Sequence, residues 1–459
     1  MFSGFNPAEL SDFARYYGFH YDNWEPRALV KDVLIDMERG LAGLDSSLPM
    51  FPSYITPVSN IPAGKKVLAL DAGGTNLRAS LVHFDDKGAA VAEGTVKSPM
   101  PGTQGKVDAE QFFDMIAKTA APLISAEPDI EGIGFTFSYP MEIQSNADGI
   151  LLTFSKEVDA PGVVGKAIGA ELREALARRG CGYSGPIVLL NDTVATLLSG
   201  LASIRADGEA TPSKNSYGFP GGPVIGFILG TGFNTAYPET HIPKIGFDSA
   251  AAPQIVVCET GTFNLRYRGP LDRAFDNTTK NPGAYALEKA TSGAYLGPLS
   301  LHILKQAVKD RIIRFEKSDE LLAMPFLETR TLNEFTHAPL AAEGPLGSLF
   351  TASEGGALAA VQYLVSIITE RAALLSAAVL AATVERINSG PQAAFRPYSP
   401  VRIAVEGTTY MIYKGMRRSL ESWLHNMLMS EKPRPYVISP VEQASLFGAA
   451  VAALSSRNP

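Results

Sequence analysis

The chain is poor in cysteine, in basic charge and in long apolar runs, and each shortage closes off a class of protein. Only two of its 459 residues are cysteine, Cys181 and Cys258, far apart and without metal-ligand spacing. That excludes a disulfide framework and suits a reducing compartment. Lys and Arg number 40 against 47 Asp and Glu, a formal net charge of -7. A nucleic-acid binder would normally carry a basic stripe, so no nucleic-acid partner is expected. The longest uncharged stretches, Gly355–Thr369 and Ala372–Val384, are split by Glu370 and Arg371. Both fall short of the roughly 18 residues that span a bilayer. They predict a buried, Ala-rich helix and no membrane partner. The opening MFSGFNPAELSDFARYYGF meets acidic residues at once and has no apolar signal core, so a cytoplasmic location is expected.

Several catalytic signatures are missing as well. There is no GxxxxGK[ST] phosphate loop and no protein-kinase HRD or DFG. The six histidines show no HExxH or paired metal spacing, which argues against a zinc hydrolase. No GxSxG supports a serine hydrolase.

What is present is a folded α/β chain. Its length allows two or three domains' worth of core, and 46% apolar with 19% charged residues is ordinary for a globular protein. Amphipathic helical patterns run to about Leu44, and a Pro- and Ser-rich lead-in covers Ser46–Pro62. Val67–Leu70 then reads as a buried strand, a Gly turn follows Asp71, and Leu77–Phe84 resumes as a second strand. The same grammar returns at Val224–Leu229, Gly230-Thr231-Gly232 and Phe233–Tyr237, which suggests one α/β unit used twice; two unrelated hairpins are the alternative. Strands are also predicted at Gly132–Phe137, Ile187–Leu190 and Val401–Val405. Helices are predicted at Ala109–Ile124, Gly165–Arg178, from about Thr193, and from Gln443 to Leu454. The last third reads as helical apart from the one strand. Alternating strands and helices favour mixed sheets.

Four turns carry the chemistry. In Asp71-Ala72-Gly73-Gly74-Thr75-Asn76 the paired glycines let backbone N–H groups approach an anion, Thr75 adds a hydroxyl and Arg78 a cation. Asp71 ends a strand, a suitable place to hold a hydrated Mg²⁺. An ordinary Asp-Gly hairpin turn is the plainer alternative. Asn191-Asp192-Thr193 follows a buried strand, where open α/β sheets place ligand sites, although an Asp there also serves as a helix N-cap. Gly230-Thr231-Gly232-Phe233-Asn234 and Glu406-Gly407-Thr408-Thr409 are further Gly-Thr turns after apolar strands.

Taken in order, these residues resemble the hexokinases of the actin-like ATPase superfamily, over roughly Leu34 to Leu454. Leu68–Arg78 is similar to the first phosphate motif and Gly134–Pro140 to the sugar signature, with Ser155-Lys156 as the polar pair after it. Asn191-Asp192-Thr193 is similar to the catalytic motif and Gly230–Asn234 to the second phosphate motif. Glu259 sits in a Glu-x-Gly turn, and Asn281-Pro282-Gly283 precedes Glu288. Phe326–Asn333, Arg371-Ala372-Ala373 and Glu406-Gly407-Thr408 complete the order. The chain departs from the family pattern at Ala294, Pro298, Asn333 and Gln443–Gly448, all on the implied nucleotide side.

The resemblance implies an actin-like ATPase (ribonuclease H-like) fold of two domains with mixed sheets and an interdomain cleft. Residues 67–200 plus 441–459 would form the small domain, and 1–66 plus 201–440 the large one. It implies that Ser138, Ser155, Lys156, Asn191, Asp192, Asn234, Glu259 and Glu288 hold a hexose. Asp192 would be the catalytic base, with Lys156 and Arg78 offsetting charge on the transferring phosphoryl. Asp71, Gly73, Gly74, Thr75, Asn76, Arg78, Gly230, Thr231, Thr329, Gly407, Thr408 and Ser445 would hold ATP, and Asp71 and Asp192 would hold Mg²⁺ through water. The implied partners are a hexose and ATP, in a monomer or homodimer. A kinase for another sugar and a hexose-binding regulator without turnover are the alternatives.

Overall fold

The computed structural model describes residues 5–57, 61–154, 158–206, 222–249, 252–339, 344–389, 400–430 and 432–455. The apolar runs become two mixed sheets. The first holds β1 (Val67–Ala72), β2 (Asn76–Phe84), β3 (Ala90–Pro99), β4 (Ile133–Phe137) and β5 (Ile187–Leu190), in the order β3-β2-β1-β4-β5. The second holds β6 (Val224–Leu229), β7 (Phe233–Glu239), β8 (Gln254–Val257), β9 (Val401–Glu406) and β10 (Tyr436–Pro440), in the order β8-β7-β6-β9-β10, with Phe51–Pro52 added beyond β8.

The two sheets share one pairing pattern. In the first, β3, β2 and β1 run antiparallel to their neighbours, and β1, β4 and β5 run parallel. In the second, β8, β7 and β6 are antiparallel, and β6, β9 and β10 parallel. The two Gly-turn hairpins, β1-β2 and β6-β7, occupy equivalent places. The repeat read from two turns extends to whole sheets.

Burial explains why some strands are legible and others are not. β1, β4 and β5 are buried along their whole length, as expected of parallel strands covered on both faces. β3 is largely exposed, and β10 is a half-exposed edge strand ending in Pro440. Neither offers an apolar run, so the expectation of a single strand in the last third is corrected: β10 lies parallel to β9.

Six helices matter for the site. They are α1 (Ala109–Ala126), α2 (Ile168–Arg178), α3 (Asp192–Ala206), α4 (Ala286–Thr291), α5 (Gly355–Ser389) and α6 (Ala444–Ser455). The Asp108 carboxylate and the Gln111 side chain close a capping box on α1. α5 joins the two Ala-rich stretches into one helix of 35 residues. By length and composition it could cross a membrane, but 89% of its most apolar segment is buried inside the protein. Its two central charges are both hydrogen-bonded. Glu370 accepts from Ser419 Oγ and Trp423 Nε1, and Arg371 donates to Asp272.

α6 is apolar and packs against α3 and against β1 and β4. Glycine permits the close approach. A Cβ at Gly134 would stand 1.9 Å from the Ala449 carbonyl oxygen, and one at Gly448 2.1 Å from that of Ala195. A shared apolar cluster, including Val67, Leu190, Val194, Val224, Ala404 and Leu446, lies between the two sheets.

Candidate active site

The carboxyl ends of the parallel strands of both sheets open into one cleft of about 430 Å³, a volume typical of small-molecule sites. The first sheet contributes Ser138, Tyr139, Asn191 and Asp192. The second contributes Gly230, Thr231, Gly232, Asn234, Glu406, Gly407 and Thr408. Glu259, Tyr285, Glu288, Ala294 and Tyr295 come from its connections, and Ser445 from the start of α6.

Asp192 opens α3 directly after β5, and the competing role of helix cap falls to its neighbour. The Asn191 Oδ1 accepts the Thr193 N–H at 2.8 Å. The first turn of a helix favours an anion, so the Asp192 carboxylate sits at the positive end of α3. Thr193 Oγ1 donates to Asp192 Oδ1 at 3.3 Å, and Thr196 Oγ1 donates to the Asp192 carbonyl at 2.9 Å.

Across the cleft, Asn234 is fixed by its own strand. Its Oδ1 accepts from the N–H groups of Thr235 and Thr260, and its Nδ2 donates to Glu259 Oε1 at 3.1 Å. Glu288, in the first turn of α4, accepts the Phe233 N–H at 3.1 Å. Glu259 and Tyr285 adopt left-handed backbone, with φ of 54° and 56°. For residues with a Cβ such a conformation costs on the order of 1–3 kcal/mol and tends to gather at functional sites.

The cleft is crowded with acid. Burial, then the charges of Asp192 and Glu288, push the Glu259 carboxyl up to about 7, although the Asn234 hydrogen bond pulls the other way. Burial, Asp192 and Asp71 likewise push Glu406 up to about 7, against the opposing influence of Arg78 and Thr196. Glu406 thus feels the charges of two further carboxylates, Asp192 and Asp71. An excess of oxygen donors and negative charge suits a hard divalent cation such as Mg²⁺. Among the described residues no three His, Cys, Asp or Glu side chains converge as a direct chelate.

The first Gly turn is built differently from the second. Asp71 and Arg78 are cross-strand partners on β1 and β2, and Arg78 Nε and Nη2 both donate to Asp71 Oδ2, at 2.8 and 2.5 Å. The guanidinium expected to face a phosphate is therefore already engaged by the expected metal-side carboxylate. Tyr139 Oη donates to the Gly73 carbonyl, and Asn76 Nδ2 to Thr75 Oγ1. Asp71, Gly73, Gly74, Thr75, Asn76 and Arg78 are not among the residues that line the cleft. The second turn is tightly laced: the Gly230 carbonyl accepts from Gly293 N–H and Thr409 Oγ1, and the Thr231 carbonyl accepts from Ala294 N–H. Gly407 has φ 129°, and a Cβ there would stand 2.3 Å from the Leu229 carbonyl oxygen. Only glycine fits.

The structure gathers Ser138, Asn191, Asp192, Asn234, Glu259, Glu288, Gly230, Thr231, Gly407, Thr408 and Ser445 into the cleft. Ser155 and Lys156 lie outside the described residues. Thr329 does not line the cleft; its Oγ1 accepts the Gly297 N–H at 2.7 Å at the start of its own helix. Glu406, Tyr139, Tyr285 and Tyr295 also line the cleft, without a role assigned from the sequence. Glu406 stands in one of the four turns, as the acid that ends the strand before a Gly-Thr turn, and Tyr139 in the segment similar to the sugar signature. Tyr285 and Tyr295 carry no signal.

Sequence profiles of the Hexokinase family match residues 14–202 and 224–455. "Hexokinase-5" of Oryza sativa is 30% identical, over 94% of this chain and 87% of its own length. "Hexokinase-2" of Candida albicans is 28% identical, over 93% and 88%. The solved hexokinase of Schistosoma mansoni complexed with glucose superposes with a TM-score of 0.75 at 24% identity, covering 98% of this chain and all (100%) of that one. With both profiles matched in order and the fold shared from end to end, the chain belongs to the hexokinase family.

Proposed function

We propose that this hexokinase-family phosphotransferase moves the γ-phosphoryl of MgATP to the 6-hydroxyl of glucose or a related hexose. One observation carries the reading: Asp192 shares a cleft with Asn234, Glu259 and Glu288 on one side and with the Gly230 and Gly407 turns on the other. Amide and carboxylate groups that hydrogen-bond several hydroxyls suit a polyol and reject analogues that lack one. Glycine turns at strand ends offer N–H groups to phosphates.

In this reading Asp192 takes the proton from the attacking hydroxyl as the phosphoryl transfers in line, which is general-base work by a positioned carboxylate. Asn234, Glu259 and Glu288 orient the sugar, with Ser138, Ser155, Lys156 and Asn191 completing the shell. Asp71 and Asp192 would hold Mg²⁺ through water, and the ion when bound would offset charge on the phosphoryl oxygens. Arg78, already paired with Asp71, orients that carboxylate and lends positive charge beside it. Residues 67–200 plus 441–459 are taken as the small domain; the packing of α6 on the first sheet supports this division.

The test is Asp192→Ala with a panel of hexoses and saturating MgATP in a coupled assay. Turnover should fall by on the order of 10²–10⁴ while the fold is kept. Unchanged phosphorylation would remove Asp192 from the chemistry. Sugar binding without any ATP consumption by the wild type would favour a regulator over a kinase.

A further inference from the structure

Beneath Glu288 lies a group of charges that the functional reading leaves unused. Lys289, the next residue on α4, is only 5% exposed, and Asp276 only 6%. The Lys289 ammonium pairs with Asp276 Oδ1 and donates to the Asn281 carbonyl at 2.7 Å. The other carboxylate oxygen, Oδ2, accepts from Arg268 Nη1 at 3.0 Å and from the Gly283 N–H at 2.8 Å. Asp276 therefore ties together α4, the Asn281-Pro282-Gly283 loop and Arg268.

The element that carries Asp276 is itself fixed. It ends the short helix Pro270–Asp276, whose Asp272 takes both of its oxygens to the buried Arg371 Nη1 on α5, at 2.9 and 2.8 Å. Burial alone would raise the Asp276 carboxyl, but Lys289, the Gly283 N–H and Arg268 together hold it below the usual carboxylate range. The space among Arg268, Asp272, Asp276 and Lys289 is about 20 Å³, enough for roughly one water. The group is therefore no ligand pocket. It is an anchor.

A side chain at position i of a helix points away from its neighbour at i+1, so α4 can offer Glu288 to the cleft while Lys289 reaches into the protein. α4 has only six residues, too few to be stable unaided. Its Tyr285 start is in left-handed backbone, so its placement depends on tertiary ties. Resting on the hexose-kinase reading above, we propose that the buried Asp276–Lys289 pair is a positioning device that sets Glu288 against the hexose, so that it governs sugar affinity more than turnover.

The experiment compares wild type, Lys289→Met and the double variant Lys289→Met with Asp276→Asn, by thermal unfolding and by KM for glucose, KM for ATP and kcat. Losing Lys289 leaves the buried Asp276 carboxylate with only the partly exposed Arg268 to offset its charge, so the single variant should melt earlier. The double variant should recover most of the melting temperature. It should still show a glucose KM raised about tenfold or more, with kcat within about threefold and the ATP KM unmoved. A folded double variant with wild-type glucose KM would overturn the proposal, as would an ATP KM raised as much as that for glucose. A wild type that consumes no ATP with any hexose would overturn the kinase reading and this inference with it.

Discussion

At the scale of single residues the cleft is a problem in negative charge. Glu259 and Glu406 both sit near about 7, well above the unfolded value near 4.5, because each is buried beside Asp192. The folded protein then binds their protons more tightly than the unfolded chain does. Their contribution to stability is complete below about 4.5 and is lost as pH rises to about 7. The unfolding free energy from urea titrations should therefore fall between pH 5 and pH 7.5, by on the order of 2 kcal/mol per group. Glu406→Gln should flatten part of that slope, and parallel slopes in variant and wild type would contradict it. Asp192 and Asn234 stood out in the sequence because an acid and an amide beside strand ends and glycine turns are visible as letters, whereas Glu259 and Glu288 came only with the resemblance to hexokinases. The sequence did not mark the engagement of Arg78 by Asp71, which depends on register across a hairpin. Nor did it show that Asn191 caps α3 and so spares Asp192.

At the scale of elements, legibility largely followed burial, although the buried β8 was not read as a strand. β1, β4, β5, β6 and β9 are nearly continuous apolar runs, and their predicted limits lie within two residues of the observed ones. The largely exposed β3 and the half-exposed β10 have no apolar run and read as loop or helix. α6 shows what close packing demands of sequence: Gly134 and Gly448 admit backbone on either side of it. Gly448→Ala puts a methyl group against the Ala195 carbonyl, and overpacking of that kind costs about 1–3 kcal/mol. Denaturant unfolding should show the loss. A variant as stable as wild type would mean that α6 can shift away without penalty.

At the scale of the whole molecule, the cleft belongs to neither sheet alone. Asp192 rides on the first, Asn234 and Gly407 on the second, and a hexose lying between them would link both. A ligand that binds only the folded state adds about 2.7 kcal/mol of stability at one hundred times its dissociation constant. Saturating glucose should raise the melting temperature accordingly, and amide exchange should slow in β1 and β4 as well as in β6 and β9. Slowing confined to one sheet would place the sugar elsewhere.

The placement of α6 has a consequence for biosynthesis. Strands β1 and β4 leave the ribosome early, yet the helix that covers them is translated after every strand of the second sheet. Until then an apolar surface of the early half stays wet and open to unwanted partners. The nascent chain must be sheltered, or must fold late and all together, and a premature stop just before Ala444, which removes little more than α6, should yield aggregate.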